Sequence, residues 1–174
     1  MSIDFKKNHF DLFHLPVSFQ MDSAALDSAY REVQREVHPD KFTTASDAEK
    51  RLAAQWATRA NEAYQTLKSP LNRGRYFLKI HGIDTEEESN TAMPLEFLMQ
   101  QMEWREALDD ADSLVQVELL SNEVAEHSSA AFEKLANTLD LEHDFAAGAQ
   151  QVRALMFVER FAHDIDQRLE ALGQ

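Results

Sequence analysis

His38-Pro39-Asp40 places an imidazole and a carboxylate on either side of a proline. Chemically, such a pair could form a general base oriented by an acid. It could also be simply a turn. Proline disfavours the α conformation in the residue before it, so Pro39 ends the preceding helix and sets a turn. His38 and Asp40 are then held at a loop tip, where neither need be buried. Arg31 and Arg35, one helical turn apart on the outer face of that helix, and Lys41 just after the turn add a small basic face, diluted by Glu32 and Glu36. The chain offers no nucleophile motif and no Gly-rich phosphate loop to complete an active site. It has no cysteine, which excludes a disulfide scaffold, a thiolate zinc site, a Cys nucleophile and an iron–sulfur cluster on its own thiolates. Taken alone, the three residues read as no more than a turn beside a small basic face, and a hydrolase using His38 and Asp40 is an alternative that turnover without any partner would reveal.

A second set of residues points to recognition by apolar contact. At about 100° per residue, a helix over 94–110 puts Phe97, Trp104, Leu108, Ala111 and Val115 on one face, the core stripe, continuing for about five turns, and Leu95, Leu98, Met99 and Met102 on the other. The second stripe gives way to Glu106 and Asp109, with Glu103 and Asp110 at its flank. A helix in a small bundle rarely buries two faces. The residues alone leave open whether the second face packs on another part of the molecule or stays bare for a partner. Met-rich apolar surfaces bordered by charge suit protein recognition. In the last helix, Phe145, Val152, Leu155 and Met156 make an early stripe and Val158, Phe161, Ile165, Leu169 and Leu172 a later, rotated one. Phe157 falls off both.

The remaining titratable groups form no convincing constellation. Seven histidines are scattered without an H-E-x-x-H pair, so no metal site and no cofactor are expected. His143-Asp144 reads as capping chemistry at a helix start, and Glu86-Glu87-Glu88 as part of a solvated linker.

These groups must be positioned by helices. Residues 9–15 read as a short helix stopped near Pro16. Asp22 caps a helix to about Val37 with the stripe Leu26, Tyr30, Val33 and Val37. Asp47 is expected to cap a helix to about Lys68, carrying Leu52, Trp56, Ala60, Ala63, Tyr64 and Leu67 on one face. Ser69-Pro70 restarts the chain for a helix over 71–81 with Leu71, Tyr76, Phe77 and Ile80, and Gly82 is a natural terminator. Residues 84–91 are acidic and lack apolar periodicity. Helices resume at about 94–110, 113–139 and 143–172. Four glycines and four prolines are too few for the turns of an all-β protein. The fold expected is all-α: a helical hairpin unit followed by a three-helix bundle.

Charge divides the same way. Of 174 residues, those up to His81 sum to +2 and the rest to −16. Such asymmetry suggests two units with different partners. The acidic half argues against nucleic acid as a partner, because phosphates need cations. No run approaches the roughly 18 apolar residues of a membrane span, and no secretory signal follows Met1, so no membrane association and a cytoplasmic location are expected.

The order of amphipathic helix, His38-Pro39-Asp40-Lys41-Phe42, loop, and a helix with Ala60-Asn61-Glu62-Ala63-Tyr64-Gln65-Thr66-Leu67, then Ser69-Pro70 and Arg73, resembles the J-domain, the module by which DnaJ-like co-chaperones act on DnaK-type ATPases. The segments Leu71–Gly82 and Phe97–Glu106 narrow the resemblance to the HscB-type J-proteins of iron–sulfur cluster assembly. It spans nearly the whole chain and is weakest over about 112–150. The resemblance implies a J-domain at 1–82, an acidic linker at 83–93 and a C-terminal three-helix bundle at 94–174. It implies a co-chaperone, not an enzyme, with an HscA-like ATPase chaperone and an IscU-like scaffold protein as partners. By matching positions, the chaperone contact would be His38, Pro39 and Asp40, with Arg31, Arg35 and Lys41 beside them. The scaffold contact would be Leu98, Met99, Met102, Glu103, Glu106, Asp110 and Phe157. A general J-protein presenting unfolded clients is the second alternative, distinguished by competition with denatured protein.

Overall fold

The computed structural model describes residues 4, 6–85 and 93–173. Most of the acidic segment read as a linker, 86–92, lies outside the described residues. The chain divides into two compact units, Met1–His81 and Gly82–Gln174.

The first unit holds α1 (His9–Leu12), α2 (Ser23–Glu36), a 3-10 turn (Pro39–Phe42), α3 (Asp47–Lys68) and α4 (Pro70–Ile80). Asp22 caps α2 as its sequence implies, accepting from the N–H groups of Ala24 and Ala25. The cap of α3 is Ser46 rather than Asp47. Ser46 accepts from the Glu49 N–H and Glu49 from the Ser46 N–H, a reciprocal pair that satisfies two helix-end donors, whereas Asp47 adds only favourable charge to the first turn. The short first helix is one turn long, ending at Leu12, because His14 adopts a left-handed φ of 54°.

α2 and α3 pack as a hairpin, with α1 and α4 against α3. Leu26, Val33 and Val37 of α2 are buried, as are Ala53, Ala60, Ala63 and Leu67 of α3. The alanines let the helices approach, and Leu67, fully buried, contributes roughly 1.5–3 kcal/mol by leaving water. Leu52, expected in the stripe, is at the surface, and its neighbour Ala53 takes the inward position. Leu78, not anticipated, is fully buried, while Ile80 is exposed. Across the hairpin, Tyr30 stacks on Tyr64 at 4.2 Å, and the Tyr64 hydroxyl donates to Asp27 at 2.7 Å. Arg73 donates to the Leu67 and Phe19 carbonyls, joining the α3–α4 corner to the loop after α1. Gly82 ends the unit's last helix with φ +85°, a conformation only glycine adopts without strain.

The second unit is a three-helix bundle of α5 (Leu95–Asp110), α6 (Leu114–Ala136) and α7 (Phe145–Gly173). Trp104, Leu108, Ala111, Val117, Leu120, Val124, Val158, Phe161 and Ile165 form its core, with Phe97 and Leu169 packed against it. Val115 is a correction to the predicted core face: α5 stops at Asp110, the chain turns, and Val115 is 63% exposed on α6. α6 runs into a π-helical turn, Asn137–Leu141. His143 then takes φ 53°, and Asp144 accepts from the Ala147 N–H to start α7. At this corner a Cβ on Gly148 would collide with the Leu139 side chain, so glycine permits the close approach of α7 to the turn.

Cross-bundle contacts fix the register of α5 and α7. Arg105 meets Asp164, Trp104 stacks on Phe161, and Arg168 donates to the Ala111 carbonyl. Partners rise together along the two helices with a nearly constant offset, so the helices run parallel. The rotated stripes of α7 follow from this. Residues before about 152 precede the start of α5 and meet α6 and the π turn, while later ones face both helices. At the start of the unit, Thr85 is buried and Arg153 donates to the Asp84 carbonyl.

Candidate functional sites

The proline corner is built from backbone constraints. Val37 closes α2 through its N–H bond to the Val33 carbonyl. His38, extended at ψ 134°, then caps the 3-10 turn that Pro39 begins. Its Nδ1 accepts from the Asp40 N–H at 3.3 Å, and its carbonyl accepts from the Lys41 N–H at 2.9 Å. The Asp40 carboxylate lies 3.5 Å from the same Nδ1. One nitrogen thus has two neighbours. A neutral ring accepts from the amide, and an imidazolium would donate to the carboxylate instead. Nε2 is left without a bond among the described residues. Both side chains are open, His38 at 59% and Asp40 at 88% exposure.

An open groove beside this turn is lined by Arg31, Gln34, Arg35, His38, Asp40 and Lys41. Every residue read as a companion of the corner is therefore on one surface. Gln34 was missed, although the spacing 31, 34, 35, 38 marks a single helical face. The lining has no hydroxyl or thiol to act as a nucleophile.

The ridge lies on α5. Leu95, Leu98, Met99 and Met102 are between 44% and 71% exposed, so the other helices of the bundle leave them open. Glu103, Glu106, Asp109 and Asp110 are exposed beside or beyond them. The opposite face is anchored: Trp104 donates to Glu123 at 3.2 Å and stacks on Phe161 at 5.8 Å. Phe157 on α7 is 43% exposed. By the register of the two helices it stands level with about residue 100 of α5. Helical rotation of about 100° per residue, measured from Arg105, puts Leu98 and Met102 on the edge nearest α7. Met99 and Glu106 face outward, Glu103 and Asp110 take the far edge, and Asp109 returns to the α7 edge beyond the end of the stripe. The stripe and Phe157 thus make one apolar ridge across two helices, acid-rimmed along one side.

Two cations beside the ridge carried no role in the sequence reading. The Arg105 guanidinium lies 5.0 Å from the Phe161 ring centroid and bonds Asp164 at 2.8 Å. The Arg160 guanidinium lies 5.5 Å from the centroid of Phe157. Among the described residues, no cluster of three metal-binding side chains occurs, and no helix is long and apolar enough to cross a membrane.

Comparison with known proteins agrees with this architecture. Residues 93–166 match the family described as the HSCB C-terminal oligomerisation domain. A co-chaperone protein HscB homologue of Burkholderia multivorans is 52% identical, over 98% of each chain. The crystal structure of human co-chaperone protein HscB superposes with a TM-score of 0.88 at 29% identity, covering 97% of this chain and 85% of that one. Chaperone HscB from Vibrio cholerae gives 0.81 at 34% identity, over 95% and 99%. The first unit is a J-domain and the second the C-terminal helical domain that accompanies it in these structures. The chain belongs to the HscB family of co-chaperones, J-domain proteins that act with an Hsp70-type ATPase in iron–sulfur cluster assembly.

Proposed function

We propose that this chain stimulates ATP hydrolysis by an HscA-like chaperone and delivers an IscU-like scaffold protein to it. The chemistry would occur in the partner. His38, Pro39 and Asp40, with Arg31, Arg35 and Lys41, would contact the ATPase and favour one of its conformations, which requires different affinities for the two. Leu98, Met99, Met102 and Phe157 would supply most of the affinity for the scaffold. Glu103, Glu106 and Asp110 would meet a basic patch on it, favouring encounter and register. Tethering both surfaces in one chain raises the concentration of cargo at the motor. We assign the J-domain to 1–82, the linker to 83–93 and the scaffold-binding bundle to 94–174, and place the protein in the cytoplasm, for which the absence of cysteine is suited.

The observation that supports this reading most is the coexistence of two open surfaces of opposite chemistry in one chain, a polar, proline-locked corner and an uncovered apolar ridge. The test is a steady-state ATPase assay on the HscA-like chaperone with this protein and the scaffold present or absent. Stimulation should require this chain and rise further with scaffold. ATP turnover unaffected by the chain would overturn the reading, and displacement of scaffold by denatured proteins would replace it with a general client-presenting role.

A further inference from the structure

The ridge is not uniformly acidic at its border, and the exception is placed by the fold. Lys and Arg are scarce in the second unit: Arg105, Lys134, Arg153, Arg160 and Arg168 are all of them. Arg105 is neutralised by Asp164, and Arg153 and Arg168 donate to main-chain carbonyls. Lys134 lies at a cleft between α6 and α7, beside Ala130, Ala131 and Gln151. Arg160 alone stands at the ridge with no carboxylate within 4.0 Å among the described residues. It is exposed, and its guanidinium sits over the Phe157 ring. A guanidinium held against an aromatic face keeps its N–H donors directed outward while restricting both side chains, so it is prepared to bind a carboxylate.

We infer that Arg160 is a specificity-determining residue of the cargo-binding ridge, engaging a carboxylate of the scaffold at the α7 edge while Glu103 and Asp110 engage basic groups at the α5 edge. The inference rests on the scaffold-binding reading above and adds a polarity to it. A ridge with acid on one border and an unpaired cation on the other can be docked in one orientation only. The reversed orientation sets like charges against each other, which is how interfaces reject wrong registers. The partner surface that fits is an apolar patch with basic residues on one side and at least one Asp or Glu on the other.

Calorimetric titration of the full chain with the scaffold protein tests this, because the charge sign makes opposite predictions. If the scaffold surface near Phe157 were basic, like the patch facing the acids, Arg160→Glu would tighten binding. On our inference Arg160→Glu weakens it by about tenfold or more, Arg160→Ala by several fold, and Arg160→Lys by less than about threefold. Lys134→Glu carries the same change in net charge away from the ridge and should leave affinity within about twofold. Equal affinity for Arg160→Ala and Arg160→Glu, or tighter binding by either, overturns the inference. Arg160 is exposed, so circular dichroism should show the variants folded. Leu98→Ala distinguishes the two levels of argument: if it too leaves affinity unchanged, the scaffold does not bind this ridge at all. Rescue of Arg160→Glu by reversing one acidic residue of the scaffold would identify the partner group.

Discussion

The corner at His38 and the ridge on α5 expose their functional groups for different reasons. At the corner, covalent constraint does the positioning: a proline stops one helix, starts a 3-10 turn, and two main-chain bonds orient His38 and Asp40. The residues are polar, and their exposure costs nothing. On the ridge, apolar side chains face water because the opposite face of the same helix has taken every place in the core, through Trp104 and Leu108. The first site is made by local geometry. The second is made by what the bundle leaves uncovered, and depends on the packing behind it.

Substitutions can break this contrast. The largest effect is expected from His38→Gln, which should abolish stimulation of the partner ATPase while leaving helicity and scaffold affinity unchanged, since the imidazole is exposed. Retained stimulation in the ATPase assay would show that the corner is only a turn. Next, joint replacement of Leu98, Met102 and Phe157 by Ala should weaken scaffold binding by at least about 2 kcal/mol, some thirtyfold, with basal ATPase stimulation intact. Calorimetry with unchanged affinity would move the cargo site elsewhere. Gly148→Ala, remote from both surfaces, should lower stability by about 1–3 kcal/mol, because the added methyl meets the buried Leu139. A denaturant midpoint equal to wild type would show that the corner relaxes freely.

A smaller effect concerns pH and the first unit only. The His9 ring stacks on Tyr76 at 4.2 Å, and the His9 main-chain N–H donates to the Tyr76 hydroxyl. Burial, then the nearby charges of Arg59 and Lys79, hold its pKa below the ordinary 6.5, while Glu62 acts the other way. The unfolded chain therefore binds this proton more readily than the folded one. The contribution of neutral His9 is complete above about pH 6.5 and declines as pH falls from there through the folded-state value. Thermal melting between pH 7 and pH 5 should show a modest loss of stability that His9→Gln removes in part. An identical pH slope in the variant would exclude His9 as its source.

How much of this could be read in the residues differs between the two sites. That the corner residues share one surface could be read, Gln34 excepted, because H-P-D and the spacing of Arg31 and Arg35 are local signals. For the ridge, periodicity identified two stripes on α5 and made the longer one the core face, but could not tell whether the shorter one was covered. That required the bundle, and the exposure of Leu95, Leu98, Met99 and Met102 decided it. Val115 was misplaced because a helical repeat was extended through a turn at Ala111-Asp112-Ser113 that lacks glycine and proline. Leu52 and Ala53 exchanged places for a related reason: a stripe of large apolar residues was favoured, while the close α2–α3 contact selected the small side chain. Phe157 was recognisable as an orphan, but its neighbourhood with Leu98 and Met102 rests on the offset between α5 and α7, which no local pattern encodes.

That offset bears on mimicry. Arg105, clasping a ring and a carboxylate of α7 at once, pins the two helices against sliding, so the ridge is a composite feature of both. A synthetic helix spanning 95–110 would carry Leu98, Met99 and Met102 but neither Phe157 nor Arg160, and would have to fold alone at a length where isolated helices are marginal in water. As an inhibitor it should compete feebly with the intact bundle. A useful decoy would have to reproduce the pinned pair.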